Sequence, residues 1–403
     1  MNVCMLTYSF YESDNRVRRY AEALIRRGDS VDVLSLRRKG QDYYNELNGV
    51  RIFRIQERVR NEKGKLSYLI RIFKFLFCST YTLVRKHLFQ PYDLIHVHSV
   101  PDFEVFAALI PKLIGAKIIL DIHDIVPEFY AAKFNGDRES FVFKMLVWVE
   151  KISIAIADHV IISNDLWKKT LCSRSVRFDK CTTIINYPDE SIFFKRETRD
   201  DKKKVVFLYP GSLNHHQGLD LAVKAFDKVK NLVRGAELHI VGEGPEKQQL
   251  VQMVRGLSLE DRVIFKDQVS LDAIPKIMAK ADIGIIPKRN NGFGSEAFST
   301  KTLEFMILGI PIIVSRTKID QLFFDNSVVK YFEAGNIGDL AGAMLAMIKD
   351  KALRDRLAVN GLQFARNNSW NVKKQIYLDL VDGLVSKGRI RKSEVIDQPK
   401  DER

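Results

Sequence analysis

The chain has 403 residues, 46% of them hydrophobic and 28% charged, which suits two to three folded domains and excludes a disordered chain, a collagen-like fibre or a disulfide-stapled miniprotein. Lys and Arg outnumber Asp and Glu by 64 to 50, a formal charge of +14. Such a surface favours phosphates, nucleic acid or an anionic membrane face; with no zinc-finger, helix-turn-helix or aromatic RNA-binding signature, nucleic acid is not an expected partner.

The N-terminal half alternates strands and helices. Asn2–Thr7 reads as a strand. Asn15–Arg27 reads as a helix with Val17, Tyr20, Ala21, Leu24 and Ile25 on one face, stopped by Gly28. Ser30–Leu36 and Val50–Ile55 follow as strands. The stretch from Lys63 to Lys86 is basic and rich in large apolar residues; it reads as a membrane-surface helix or as a core helix with a solvated basic edge. Tyr92–His98 is a buried strand, Asp102–Leu113 a helix, Lys117–Asp121 a strand, Phe141–Ala157 a helix and His159–Ser163 a strand. The pattern breaks between Asn186 and Lys204, at Tyr187-Pro188 and a charge cluster from Lys195, which marks a domain boundary.

A second alternating series follows: strands at Val205–Tyr209, Glu237–Val241, Val263–Lys266, Ile283–Pro287 and Pro311–Val314, with helices at Gly218–Lys230, Pro245–Leu257, Leu271–Ala279 and Ser299–Leu308 between them. Helices at Ile337–Lys349, Lys351–Asn367 and Trp370–Val385 close the series, and Lys387–Arg403 reads as a polar, frayed end. The expected fold class is α/β: two doubly wound, Rossmann-like domains at 1–190 and 200–367, facing a central cleft, with a helix at 368–386 packing back toward the first. The four cysteines, Cys4, Cys78, Cys172 and Cys181, are too scattered for a disulfide framework or a zinc site and read as free thiols. No run reaches the roughly 18 to 20 uncharged apolar residues of a spanning helix. The opening MNVCMLTYSF lacks the pattern of a signal peptide, so a cytoplasmic protein is expected, peripheral on the inner face of the membrane if 63–88 is a surface helix.

Several loops at expected strand ends carry groups suited to chemistry. Glu296-Ala-Phe298-Ser299-Thr300-Lys301-Thr-Leu-Glu304 follows a polar loop, Asn290–Ser295, and opens a helix that Ser299 or Thr300 can cap. A helix start offers N–H groups and a positive dipole end to a phosphate, and Glu304 can accept from a ribose; a capped surface helix with ordinary acids is the other reading. Asp121-Ile-His123-Asp124 ends a strand beside His96 and His98, where His123 is either a hydrogen-bond donor to a ligand or a core-satisfied histidine. Gly211-Ser212 through Gln217-Gly218 permits close backbone approach, and Val241-Gly242-Glu243-Gly244 lacks the third glycine of a dinucleotide site. Asp14 and Arg16 lie in a loop that can touch an acceptor. No spacing calls for a metal site.

In combination and in order, these motifs resemble the GT-B-fold retaining glycosyltransferases of family four. Gly211-Ser-Leu…Gln217-Gly-Leu-Asp, Leu238-His-Ile-Val-Gly-Glu-Gly-Pro, Asp261-Arg-Val-Ile-Phe, Ala281-Asp-Ile-Gly-Ile-Ile-Pro and the E-x7-E pair Glu296 and Glu304 carry the resemblance. It implies a nucleotide-sugar donor, UDP-linked, as substrate, no other cofactor, no metal, and a glycan or lipid-linked acceptor in surface polysaccharide assembly. It places Glu296 on the donor-sugar hydroxyls, Glu304 on the ribose, backbone amides of Phe298, Ser299 and Thr300 on the diphosphate and His123 on the donor sugar. His123, Glu296 and Lys301 form the expected catalytic set. Gly211, Ser212, Gln217, Gly242, Arg289, Phe298, Ser299, Thr300 and Glu304 are the expected donor-binding residues; Asp14, Arg16, His98 and Asp124 are expected at the acceptor. The family's glycine loop carries an Arg and a Lys where Ser212 and Gln217 stand here, so the diphosphate charge falls to Lys288, Arg289 or Lys301. A nucleotide-sugar epimerase on the same fold and a non-catalytic sugar-nucleotide scaffold remain alternatives.

Overall fold

A computed structural model describes residues 1–58, 65–99, 101–134, 136–194, 204–232 and 235–396. Residues 63–64, the charge cluster 195–203 and the end at 397–403 lie outside the described residues. The chain divides into two compact units, Met1–Ile185 with Lys374–Arg403, and Asn186–Lys373.

In the first unit the order is β1 (Asn2–Thr7), α1 (Asn15–Arg27), β2 (Ser30–Arg37), β3 (Tyr44–Leu47), β4 (Val50–Glu57), α2 (Lys65–Phe89), β5 (Leu94–His98), α3 (Leu109–Ile114), β6 (Lys117–Ile122), α4 (Val126–Phe134), α5 (Phe141–Ile156), β7 (His159–Ile162), α6 (Asp165–Arg174) and β8 (Cys181–Thr183). The described strands form a sheet ordered β3-β4-β2-β1-β5-β6-β7-β8. All pairs are parallel except the β3–β4 hairpin. β5 and β7 are buried along their whole length, as strands covered on both faces must be. The chain leaves β1 toward β2 on one side and returns to β5 on the other, so the order reverses at the carboxyl ends of β1 and β5, where such folds bind ligands.

Local chemistry sets the ends of α1. Asp14 caps its start, Oδ1 accepting from the Val17 amide at 3.2 Å, and Gly28 ends it at φ +95°, a left-handed geometry only glycine takes without strain. The expected helix over Asp102–Leu113 is a 3₁₀ helix, Asp102–Ala108, followed by α3. Pro111 has no N–H to give to the preceding turn, so the α-helix begins just before it. The short elements β3, α4, α6 and β8 were not among the expected ones; each is ten residues or fewer, too short for periodicity to reveal.

The second unit runs β9 (Val205–Pro210), α7 (Leu219–Val229), β10 (Ala236–Val241), α8 (Lys247–Gly256), β11 (Val263–Lys266), α9 (Ile274–Met278), β12 (Ile283–Ile286), α10 (Gly292–Glu296), α11 (Thr300–Ile307), β13 (Ile312–Ser315), α12 (Lys318–Phe323), β14 (Lys330–Phe332), α13 (Ile337–Lys349) and α14 (Lys351–Asn367). Its parallel sheet is ordered β11-β10-β9-β12-β13-β14 and reverses between β9 and β12. Residues of β9, β10 and β12 pack with those of α7, α8 and α13 in one apolar core. The polar stretch Asn290–Ser295 is not all loop: Gly292–Glu296 is a helical turn with Glu296 at its end. The last helix, α15 (Trp370–Ile396), runs beyond the expected Val385 into the stretch read as frayed. From Lys374 onward it belongs to the first unit, where the Tyr377 hydroxyl lies 3.0 Å from His96 Nδ1 and Asp382 pairs with Arg27 at 2.8 Å.

One acid in the first unit is buried without compensation. Glu104, in the 3₁₀ helix, is 1% exposed, and neither carboxyl oxygen has a hydrogen-bond partner among the described residues. Burial raises its pKa from 4.5 to about 8. Folding therefore takes up a proton between those values, and stability falls as pH rises through that window by up to about 1.4 kcal/mol per pH unit. Glu104→Gln removes that slope. Melting temperatures measured from pH 5 to 8 are expected to diverge from wild type in favour of the variant, and parallel curves would refute a protonated Glu104.

Candidate active site

The ends of β9 and β10 and the start of α11 converge in the second unit. After β9, Gly211 takes φ +144° and its amide donates to the Val241 carbonyl at 2.8 Å; after β10, Gly242 takes φ +148°. A Cβ on Gly242 would meet the Gly211 carbonyl oxygen at 1.9 Å, and a Cβ on Gly211 would meet Lys301 Cε at 2.1 Å. The two glycines thus let both loops and the Lys301 side chain occupy one small volume. Lys301 lies in the first turn of α11, with its ammonium 5.6 Å from the centre of the Tyr209 ring. It makes no hydrogen bond or ion pair among the described residues. Burial, with Lys288 nearby, pulls its pKa below the ordinary value against the opposing pull of Glu304.

The other two basic candidates are engaged. Lys288 is 2% exposed; its ammonium is 2.7 Å from Asp320 Oδ2 and donates to the Ala297 carbonyl at 2.8 Å. That bond anchors the backbone between Glu296 and α11, which makes Lys288 a positioning residue. Arg289 donates to Asp220 at 2.6 Å and to the His215 carbonyl at 3.1 Å. Of the three, Lys301 alone makes no hydrogen bond or ion pair among the described residues. Ser299 holds the N-cap position of α11, yet its hydroxyl makes no capping bond and is buried without a hydrogen-bond partner among the described residues. A helix start with a buried hydroxyl and a cation in its first turn has the chemistry to receive an anion. Thr300, Phe298 and Glu304 are half-buried around it; the Phe298 ring packs edge-on against Phe323 at 4.8 Å. Glu296 is 3.7 Å from the Lys318 ammonium. Ser212 is exposed, and Gln217 Nε2 lies 2.9 Å from His216 Nε2 while its Oε1 is buried without a hydrogen-bond partner among the described residues.

His216 was not singled out in the sequence. Its ring packs edge-on against Phe293 at 5.9 Å. Burial, then the charges of Lys301 and Lys288, drive its pKa down to about 4, so it stays neutral beside them. Its one sequence signal is its place immediately before Gln217 in the glycine loop.

In the first unit the strand ends assemble a buried polar cluster. Asp121 is fully buried and receives both sides of the Arg16 guanidinium, at 2.6 and 2.7 Å. Arg16 also donates to the Ile184 carbonyl at 3.0 Å. Burial pushes the Asp121 carboxyl up, but Arg16 and the imidazoles outweigh it and hold the group well below the carboxylate range. His98 Nδ1 is 3.2 Å and His123 Nε2 3.3 Å from Asp121 Oδ2; burial pulls the pKa of His96 and of His98 below the ordinary imidazole value. Arg16 and Asp14, expected at an acceptor, are committed here to Asp121 and to the α1 cap, because a buried carboxylate and a helix start each require a partner. His98 is 1% exposed, whereas His123 is a quarter exposed. Asp124 beside it is half-buried, with no hydrogen bond among the described residues and a pKa raised by burial. His96, His98 and Asp121 bring their ligand atoms within 4.8 Å, but Arg16 already occupies both Asp121 oxygens, so a cation there would have to displace the guanidinium.

Two family models match in sequence order. The glycosyl transferase 4-like domain covers residues 13–186, and the model named "Glycosyl transferases group 1" covers residues 190–364, including Gly211, Gly242 and Lys301. The chain belongs to the group 1 glycosyltransferases. It is 24% identical over 271 residues to N-acetyl-alpha-D-glucosaminyl L-malate synthase of Bacillus anthracis, covering 65% of this chain and 66% of that one. It is 24% identical over 253 residues to the O-antigen biosynthesis glycosyltransferase WclY of Escherichia coli, covering 62% and 67%. The alignments thus span about two thirds of each relative. Anabaena Alr3699/HepE, solved in complex with UDP and glucose, shares the fold of this glycosyltransferase at a TM-score of 0.69 and 15% identity, over 94% of this chain and 99% of that one.

Proposed function

We propose that the protein transfers a hexose from a UDP-sugar, with retention and without a metal ion, to a glycan or lipid-linked acceptor in surface polysaccharide assembly. The observation that carries this reading is the anion cradle formed by Gly211, Gly242, the unpartnered Ser299 hydroxyl and the uncommitted Lys301. The cradle takes the diphosphate; Lys301 and the start of α11 stabilise the negative charge that grows as the anomeric C–O bond to the phosphate breaks. The acceptor oxygen attacks on the face the phosphate leaves, and its proton passes to the leaving phosphate oxygen. In this mechanism Lys301 supplies the positive charge that a metal ion would otherwise supply. Glu296 and Glu304 take the donor-sugar and ribose hydroxyls, and the N-terminal unit offers His123 and Asp124 to sugar hydroxyls. The UDP in the Anabaena neighbour supports the choice of nucleotide, and the O-antigen relative supports the pathway. The outward face of α2 favours an acceptor held at a membrane.

A thermal-shift panel of nucleotide sugars tests the reading. A UDP-sugar at 100 times its dissociation constant is expected to add about 2.7 kcal/mol of stability, while GDP- and CMP-sugars add none. A flat response to every nucleotide sugar would refute donor binding. Recovery of an epimerised donor in the absence of acceptor would favour the isomerase.

A further inference from the structure

α2 is apolar on two opposite faces. Ile72, Phe75 and Leu83 turn into the core of the first unit. On the other side Leu69, Phe73, Phe77 and Tyr81 follow one another at four-residue steps, and Leu88 continues the row two turns further; all are exposed, Phe77 by 71%. A helix packed on a sheet normally shows water a polar face. An exposed row of this length marks a surface that meets something apolar. α3, which packs beside α2, exposes Leu113, and α5, packed on the 3₁₀ helix that also touches α2, exposes Phe141 and Trp148.

Charge identifies what covers the row. α2 carries Arg71, Lys74, Arg85 and Lys86 and no Asp or Glu between Lys65 and Phe89. The row ends at a pocket of about 310 Å³ lined by Tyr43, Tyr81, Arg85, Phe89 and Gln90 among others. Arg85 makes no hydrogen bond or ion pair among the described residues, whereas Lys86 beside it is committed to Asp32 at 2.9 Å. A basic rim, exposed tyrosines and a continuous apolar stripe are the features of a helix lying in a lipid headgroup layer. We propose that the outward face of α2 docks on an anionic bilayer and that Arg85, in the pocket at its C-terminal end, binds a lipid phosphate. This rests on the membrane-held acceptor named above and adds to it a defined surface and a headgroup site.

Flotation of the full-length protein with phosphatidylcholine vesicles, with and without 30% phosphatidylglycerol, tests both parts, with sn-glycerol phosphate as the soluble arm. Wild type is expected to bind the anionic vesicles at least tenfold more tightly than the neutral ones and to ignore glycerol phosphate. Phe77→Glu and Tyr81→Glu, at exposed positions and with melting temperatures checked, are each expected to weaken binding to both vesicles at least tenfold. Arg85→Ala is expected to keep the neutral binding and lose most of the anionic preference. If Arg85→Ala keeps that preference, or if glycerol phosphate binds as tightly as the vesicles, the headgroup site is overturned. If the wild type floats and both Glu variants float equally, α2 is not the docking face, though a membrane-held acceptor survives. If nothing floats and Phe77→Glu turns a dimer into a monomer, the face belongs to a second copy. The nucleotide-sugar shift stands apart from all these outcomes, so failure here leaves the transferase reading intact.

Discussion

Lys301→Met is expected to lower turnover by about 10²- to 10³-fold while leaving the fold intact. The estimate follows from the cost of losing one preorganised group aimed at charge developing in the transition state, about 2.7 to 4 kcal/mol. Lys301 is the residue proposed for that role because its basic neighbours are paired, Lys288 with Asp320 and Arg289 with Asp220. Methionine keeps the stem that fills the space against Gly211 and Tyr209, so lost packing does not confuse the result. The same variant is expected to lose most of the stabilisation by UDP, since the missing ammonium also holds the diphosphate in the ground state. Glu296→Ala is expected to lower turnover without that loss of UDP binding, because the residue is proposed to act on the sugar. Unchanged turnover in both variants would refute the site.

Asp121→Asn is expected to destabilise the first unit by about 3 to 5 kcal/mol, the typical cost of stranding one partner of a buried ion pair, which corresponds to roughly 10 °C in melting temperature. Arg16 would keep a buried charge facing only neutral groups among the described residues, the new amide oxygen, the Ile184 carbonyl and the Tyr20 ring, and His98 and His123 would lose the carboxylate they lie against. The pair Arg16→Met with Asp121→Leu is expected to cost less than the sum of the single changes, because no charge is left stranded. The wild-type contribution is complete above the carboxyl's ordinary value near 3.8 and is lost as pH falls below it toward the depressed native value. Denaturant melts of the single and double variants at pH 7 measure both effects; an Asp121→Asn protein as stable as wild type would show that the guanidinium finds another partner.

Long periodic segments were legible from sequence. α1, α13 and α14 have the boundaries their patterns predict, because each combines an apolar repeat with a cap or a stop that acts within a few residues. The E-x7-E pair, the glycine loop and the helix start between them were equally legible, since the geometry of a strand–loop–helix turn is local. Which cation serves the diphosphate was not. Lys288, Arg289 and Lys301 are alike in sequence, and only their partners, Asp320 and Asp220, separate them. The same holds for Arg16: its charge and loop position suited an acceptor, but Asp121, 105 residues away, claims it. The sequence alone determined the two alternating α/β series and the family motifs, because these arise from interactions between near neighbours in the chain. The tertiary structure alone decided which charges are spent and which remain for a ligand, and that the second face of α2 stays uncovered, because ion pairing and burial depend on residues that only folding brings together.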